Sequence, residues 1–352
     1  MPTKAASPPA ITSVANTRIL RLAFGTAVSL WISQAVGWSL SFIAPVVTMF
    51  LLAMPLSRPK PRLFIIVVLA LTLSIYGSFI FLPLLLHQRL AGLLLLSLTL
   101  FHCFYFTARG GAAAAGSLAT IGLALTVAIG TVSVDMLVGV ADGLAVGALA
   151  GALVAMLAHR LIPDPVLPPQ TGAAAEEGVT VSLAAARHDA MRSLAIVLPI
   201  LIWFVFSSAS AANAADMIKV SSMGQEVSRS STKAAAKSLI FSTLAGGLAA
   251  VVAWQVLSIW PSLALYVLLI ALAGLLFGQK IFAGRGMHAD AATWSYAFLT
   301  MIIVLAPAVL DSDFGSAAGA SFYGRLLMFG WATLYAVVAV HVFDAFWKRP
   351  EN

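Results

Sequence analysis

Asp216 and Lys219 stand three residues apart in the polar run Asn213–Glu226, inside a chain that is otherwise apolar almost from end to end. On a helix that spacing places them on one face, where they can pair with each other or meet a charged solute and a proton. Gln225 and Glu226 end the same run. A helix facing lipid does not tolerate such a composition, because charge in hydrocarbon must be paired, hydrated or neutralised. The run reads first as a helix lining a polar path. A static polar packing helix, a re-entrant segment and an outer loop are the other readings. Asp142 is a second carboxylate in an apolar stretch, either a proton-carrying site, a static partner or a mouth residue in contact with water. Arg21 and Arg192 lie at the starts of two apolar stretches and could gather anions from water, although topology alone explains basic residues there equally well.

Other chemistry is not encoded by any familiar spacing. The chain has no C-x-x-C, H-E-x-x-H or G-x-S-x-G pattern and no G-x-x-x-x-G-K-[ST] loop. His102 and Cys103 are adjacent and so point to different helix faces, a poor metal pair. Cys103 is the single cysteine, which excludes an intramolecular disulfide. We expect no catalytic residue, no metal, no cofactor and no enzyme activity.

The elements that must hold these residues are membrane spans. Hydrophobic residues make up 61% of the 352 and charged residues 9%, far below the roughly 25% of soluble domains. The lipid bilayer is therefore the expected solvent for much of the surface. Twelve spans can be read. The first six are 19–37, 41–56, 63–82, 90–107, 112–130 and 136–158. The second six are 193–211, 213–228, 238–257, 262–278, 292–310 and 322–343. With both termini cytoplasmic, all of the 20 Lys and Arg fall on the inner side except Arg89, Arg325 and Lys219. The net charge of +7 is explained by inner loops facing an anionic leaflet, and nucleic acid is not an expected partner.

The two sets of six share a register. Adding 171 to Arg21, Arg58, Arg62 and Arg109 reaches Arg192, Arg229, Lys233 and Lys280. Six is even, so the halves would enter the membrane in the same orientation. The expected fold is an all-α polytopic membrane protein of about twelve transmembrane helices, arranged as two parallel six-helix repeats. Its parts are a cytoplasmic tail (1–18), a first repeat (19–160), a Pro-containing cytoplasmic linker (161–192), a second repeat (193–347) and a short cytoplasmic tail (348–352). Gly139, Gly143, Gly147 and Gly151 recur at steps of four in span 6 and form a flat stripe for close helix packing. Gly122, Thr126 and Gly130 make span 5 one expected partner, and the other half of the chain a second.

A basic residue before span 1, a Pro-rich basic turn after span 2 and Lys or Arg ahead of span 3 accompany this doubled six-span unit. So do Lys233–Gly247, Pro261-Ser262-Leu263 and Leu276–Phe282. Together they resemble the fusaric acid resistance and aromatic acid exporter (FUSC-like) superfamily, most closely its compact DUF2955-type members. The resemblance implies a bacterial inner-membrane protein that exports small organic anions, aromatic acids among them, alongside a periplasmic adaptor. The chain lacks the large soluble domain of bigger relatives and has 161–192 in its place. Proton-driven export is the expected function, with Asp216 or Asp142 exchanging the proton and Lys219 meeting the anion. A passive anion channel and a non-transporting subunit that anchors an envelope complex are the alternatives. Substrate, coupling ion and oligomeric state, including a homo-oligomer, stay open.

Overall fold

The structure is a computed structural model that describes residues 8–38, 40–55, 61–130, 133–165, 182–206, 214–227, 232–284, 286–310 and 316–347. These residues are almost wholly helical. The first part of the chain forms α1 (Pro8–Val36), α2 (Ile43–Leu52), α3 (Pro61–Ser78), α4 (Phe81–His87), α5 (Arg89–Ala108), α6 (Ala113–Gly130) and α7 (Val134–Leu161). The second forms α8 (Leu183–Phe206), α9 (Ala214–Val227), α10 (Thr232–Ile259), α11 (Leu263–Ile281), α12 (Ala291–Leu310) and α13 (Ser316–Phe346). A two-residue antiparallel hairpin, β1 (Phe282–Ala283) with β2 (Gly286–Met287), follows α11.

Local chemistry sets several boundaries. The helix α1 starts at Pro8, well inside the expected tail 1–18, since proline suits a first helical position and nothing from Ala10 to Arg18 breaks a helix. Gly37, at φ 70°, ends it. The expected third span divides into α3 and α4, because Pro83 has no N–H for the Phe79 carbonyl and its ring crowds that carbonyl. Ser262 caps α11, its hydroxyl oxygen accepting from the Leu265 N–H at 3.2 Å. The end of the expected linker is helical, as α8 begins at Leu183.

Among the described residues, seven helical stretches are long and apolar enough to cross a membrane: 14–36, 61–87, 89–108, 137–161, 236–259, 263–281 and 322–346. Their outward faces carry leucine and valine at helical spacing, such as Leu90, Leu94 and Leu98 on α5 and Leu244, Leu248 and Val252 on α10. Exposed apolar stripes of this kind are unfavourable in water and suited to lipid. Other helices are short or enclosed. The ten residues of α2 span about 15 Å, and nearly all of them are buried. On α12, Tyr296 to Ala306 are buried without a break.

The first and second parts of the chain embrace each other. Helix α1 packs most extensively on α11, and α8 most extensively on α5. At the α1–α11 crossing, a Cβ on Gly274 would lie 2.7 Å from the Ala23 Cα, and one on Gly278 would lie 3.1 Å from Ile19. This is a small-x-x-x-small contact with backbone against helix. Gly274→Leu should therefore cost about 1–3 kcal/mol or more through overpacking, read as loss of monodisperse protein after detergent extraction. Gly139→Leu is the control, since nothing lies within 4 Å of a Cβ there, and its yield should match the parent.

Candidate functional site

Among the described residues, the ion pairs gather in two clusters. In the first, Arg21 is fully buried, and its Nη1 donates to Asp164 Oδ1 at 2.7 Å and to the Ile162 carbonyl at 3.2 Å. Arg18 Nε donates to the other oxygen of Asp164 at 2.9 Å. The carboxylate just past the end of α7 thus holds two guanidinium groups from the early turns of α1. In the second, Arg192 Nη1 donates to Asp344 Oδ2 at 3.1 Å and Nη2 to the Val227 carbonyl at 2.5 Å. Asp189 Oδ1 stands 4.0 Å from Arg192. One side chain of α8 thereby ties the ends of α9 and α13. His188 adds to the joint, with Nε2 at 3.0 Å from the Trp347 carbonyl and its ring against Phe343. Both clusters lie on the face where α7 ends and α8 begins, called here the linker face.

Arg21 and Arg192, read from the sequence either as gathering anions or simply as inner-side basic residues, are buried and paired. The reason is physical: an arginine enclosed by neighbouring helices has no water to solvate it, so the fold supplies a carboxylate. Asp164, Asp189 and Asp344 were not singled out in the sequence. Only Asp189, three residues before Arg192 on the same helix, could have been linked to its arginine by spacing.

Asp142 is exposed on α7, and its Oδ1 accepts from the Tyr76 hydroxyl of α3 at 2.8 Å. Gln225 is buried, and its Nε2 donates to Thr120 Oγ1 at 2.7 Å and to the Gly116 carbonyl at 3.2 Å, which fastens α9 to α6. Asp216, Lys219 and Glu226 occupy α9, but their side chains lie outside the described residues. On the glycine stripe, Cβ atoms at Gly147 and Gly151 would meet Ile43 and the Ala44 carbonyl of α2 at 3.0 and 2.5 Å, and Thr48 Oγ1 donates to the Gly151 carbonyl at 3.0 Å. Gly143 is buried, while Gly139 faces open space. The close partner at Gly147 and Gly151 is therefore α2, and neither span 5 nor the other half of the chain. Among the described residues, no group of three His, Cys, Asp or Glu side chains is placed to hold a metal ion.

A feature not anticipated from the sequence lies above the Arg192 cluster. A cavity of about 440 Å³ is lined by Pro199, Ile200 and Trp203 of α8, Val220 of α9, and Met328, Trp331, Ala332 and Tyr335 of α13. Its three walls are the three helices that Arg192 joins. Val220 is seven residues from Val227 and Tyr335 is nine from Asp344, so the cavity begins roughly 10–14 Å from the clamp, at 1.5 Å per residue. Positions 328, 331, 332 and 335 form one face of α13. Pro199 cannot donate to the Ala195 carbonyl, which loosens α8 at the cavity. The readable signal was Trp331 in the middle of α13, away from the span ends where membrane tryptophans concentrate. Beside the cavity, the Ser221 hydroxyl is buried with no hydrogen-bond partner among the described residues.

Truncating the clamp tests its weight. Arg192→Met removes the donors to Asp344 Oδ2 and to the Val227 carbonyl and should cost about 3 kcal/mol, seen as a lowered thermal midpoint in detergent. Arg187→Met, at an exposed position on the same helix, should change the midpoint little.

Residues 18–158 match the model of a family described as a protein of unknown function (DUF2955). The match includes Arg18, Arg21 and Asp142 and stops before the Arg192 clamp and the cavity. No curated protein and no solved structure matches the chain. Over residues 18–158, the multi-pass membrane body carries the DUF2955-type sequence.

Proposed function

We propose that the chain is an exporter of small organic anions in a bacterial inner membrane, driven by the proton gradient and working with a periplasmic adaptor. It crosses the bilayer twelve times, as two parallel six-helix repeats with both termini and the linker cytoplasmic. The reciprocal contacts support this arrangement: α1 meets α11 of the second half as α8 meets α5 of the first. Within the halves, α1–α2, α2–α7 and α3–α6 contacts have counterparts in α8–α9, α9–α13 and α10–α12. The Arg21–Asp164 and Arg192–Asp344 bonds fit the same scheme, each joining the first helix of a half to the end of its last.

The observation that carries the transport reading is α9 itself, the most polar helix of the body, which Gln225 fastens to α6 inside an apolar bundle. Asp216 exchanges the proton and Lys219 meets the substrate charge. Aromatic acids are the substrate class that the resemblance to the exporter superfamily suggests.

The test is purified protein in liposomes, with radiolabelled phthalate and an imposed pH gradient. Flux should follow the gradient, and Asp216→Asn should abolish the coupling while folded yield is unchanged, because a neutral amide carries no exchangeable proton in this range. Flux that ignores the pH gradient would identify a channel. Absence of flux, together with capture of an adaptor, would identify an anchoring subunit. Topology is checked separately on a Cys103→Ser background. Thiols introduced at Ser231 and Asn352 should be reached only from the cytoplasmic side, and labelling of either from outside would overturn the twelve-span map.

A further inference from the structure

The geometry points to the α8–α9–α13 cavity as a binding site for an uncharged, ring-bearing molecule that enters sideways from the bilayer, not from water at the linker face. This proposal rests on the membrane placement in the preceding reading and does not need the protein to export anything.

Three observations carry it. The lining is chemically one-sided. Among the described residues that line it, Tyr335 brings a phenol, Trp203 and Trp331 bring indole rings, the rest are apolar, and none carries a charge. A charged ligand would lose its hydration there without a compensating partner, so the occupant is uncharged while bound. Flat aromatic walls favour a ring, through offset or edge-to-face contact.

The route follows from what is closed and what is open. Toward the linker face, Arg192 joins α8, α9 and α13 through Asp344 and the Val227 carbonyl, at 3.1 and 2.5 Å. Entry from that side would require a buried guanidinium to leave its carboxylate. Toward the bilayer the cavity is open. Trp203 and Trp331 line it and are 66% and 70% exposed. Trp331 also belongs to the lipid-facing stripe Leu327, Trp331, Leu334 and Val338 of α13. The mouth is thus continuous with the surface that meets acyl chains. At about 440 Å³ the space lies within the ordinary range of small-molecule sites, about 300–1,000 Å³.

At the corresponding joint of α1, α2 and α7 the helices are in close contact: Gly147 and Gly151 bring α7 against α2, and a Cβ on Gly25 would meet Leu52 and Ala158. That joint is a close-packed comparison within the same molecule.

The probe is 3-trifluoromethyl-3-phenyldiazirine, an apolar ring compound that dissolves in bilayers and inserts covalently on illumination. It is applied to the full chain in liposomes, with naphthalene as competitor, and labelled peptides are mapped by mass spectrometry. Label at Pro199–Trp203 and Met328–Tyr335 should saturate with probe concentration and fall about tenfold under naphthalene, as for a site with a single occupant. Label on the lipid-facing Leu90–Leu98 stripe should rise without saturating and ignore naphthalene. Ala332→Trp, which fills the cavity, should remove the saturable part, whereas Leu248→Trp on the lipid face of α10 should leave it intact. If Ala332→Trp fails to fold, the saturation and competition measurements on the parent chain still decide. Non-saturating label on every lipid-facing helix alike would overturn the proposal. So would label in the cavity that naphthalene cannot displace, the outcome for a cavity filled by a lipid acyl chain. A missing phthalate flux with saturable labelling would sink the exporter reading and leave this site standing.

Discussion

A buried guanidinium without water must find its counter-charge within the protein, and the helical body is organised around that demand. Arg21 and Arg192 are buried in the apolar body, and neither side chain reaches solvent. Each is met by an aspartate near the end of another helix, Asp164 after α7 and Asp344 in α13. These bonds bring distant parts of the chain together, and every helix between them must fit the resulting frame. The two joints differ in composition. Arg18 joins Arg21 on a single carboxylate, whereas Arg192 has Asp189 and Asp344 near it and a main-chain carbonyl from α9.

Around this frame, small residues and rings divide the packing. Glycines let α7 approach α2 and let α11 approach α1 until backbone meets backbone. Where α8, α9 and α13 meet, bulky side chains and Pro199 hold the helices apart, and a cavity results. Association in lipid gains little from the hydrophobic effect, so close van der Waals contact and satisfied polar groups must supply the specificity. Gln225 shows the second contribution: its amide bonds to Thr120 and Gly116 fasten the polar helix α9 to α6 across the two parts of the chain. The same enclosure explains how a helix as polar as α9 can be accommodated within an apolar body.

The sequence by itself determined the all-helical membrane character. Long apolar runs can satisfy their backbone groups in lipid only by forming helices, so composition and run length suffice for that conclusion. It also marked Arg21 and Arg192 as related positions and Gly147 and Gly151 as packing surfaces. It did not reveal the partners of any of these. The glycine stripe has α2 as its neighbour at Gly147 and Gly151 because helix order in space is set by all contacts together, while a stripe of small residues fits any smooth helix. The arginines are buried because Asp164, Asp189 and Asp344 converge from separate elements, and no spacing rule links residues as far apart as 21 and 164. The cavity, too, belongs to tertiary structure alone. Its lining residues are ordinary apolar side chains in three helices, and an empty volume exists only through how those helices fail to meet.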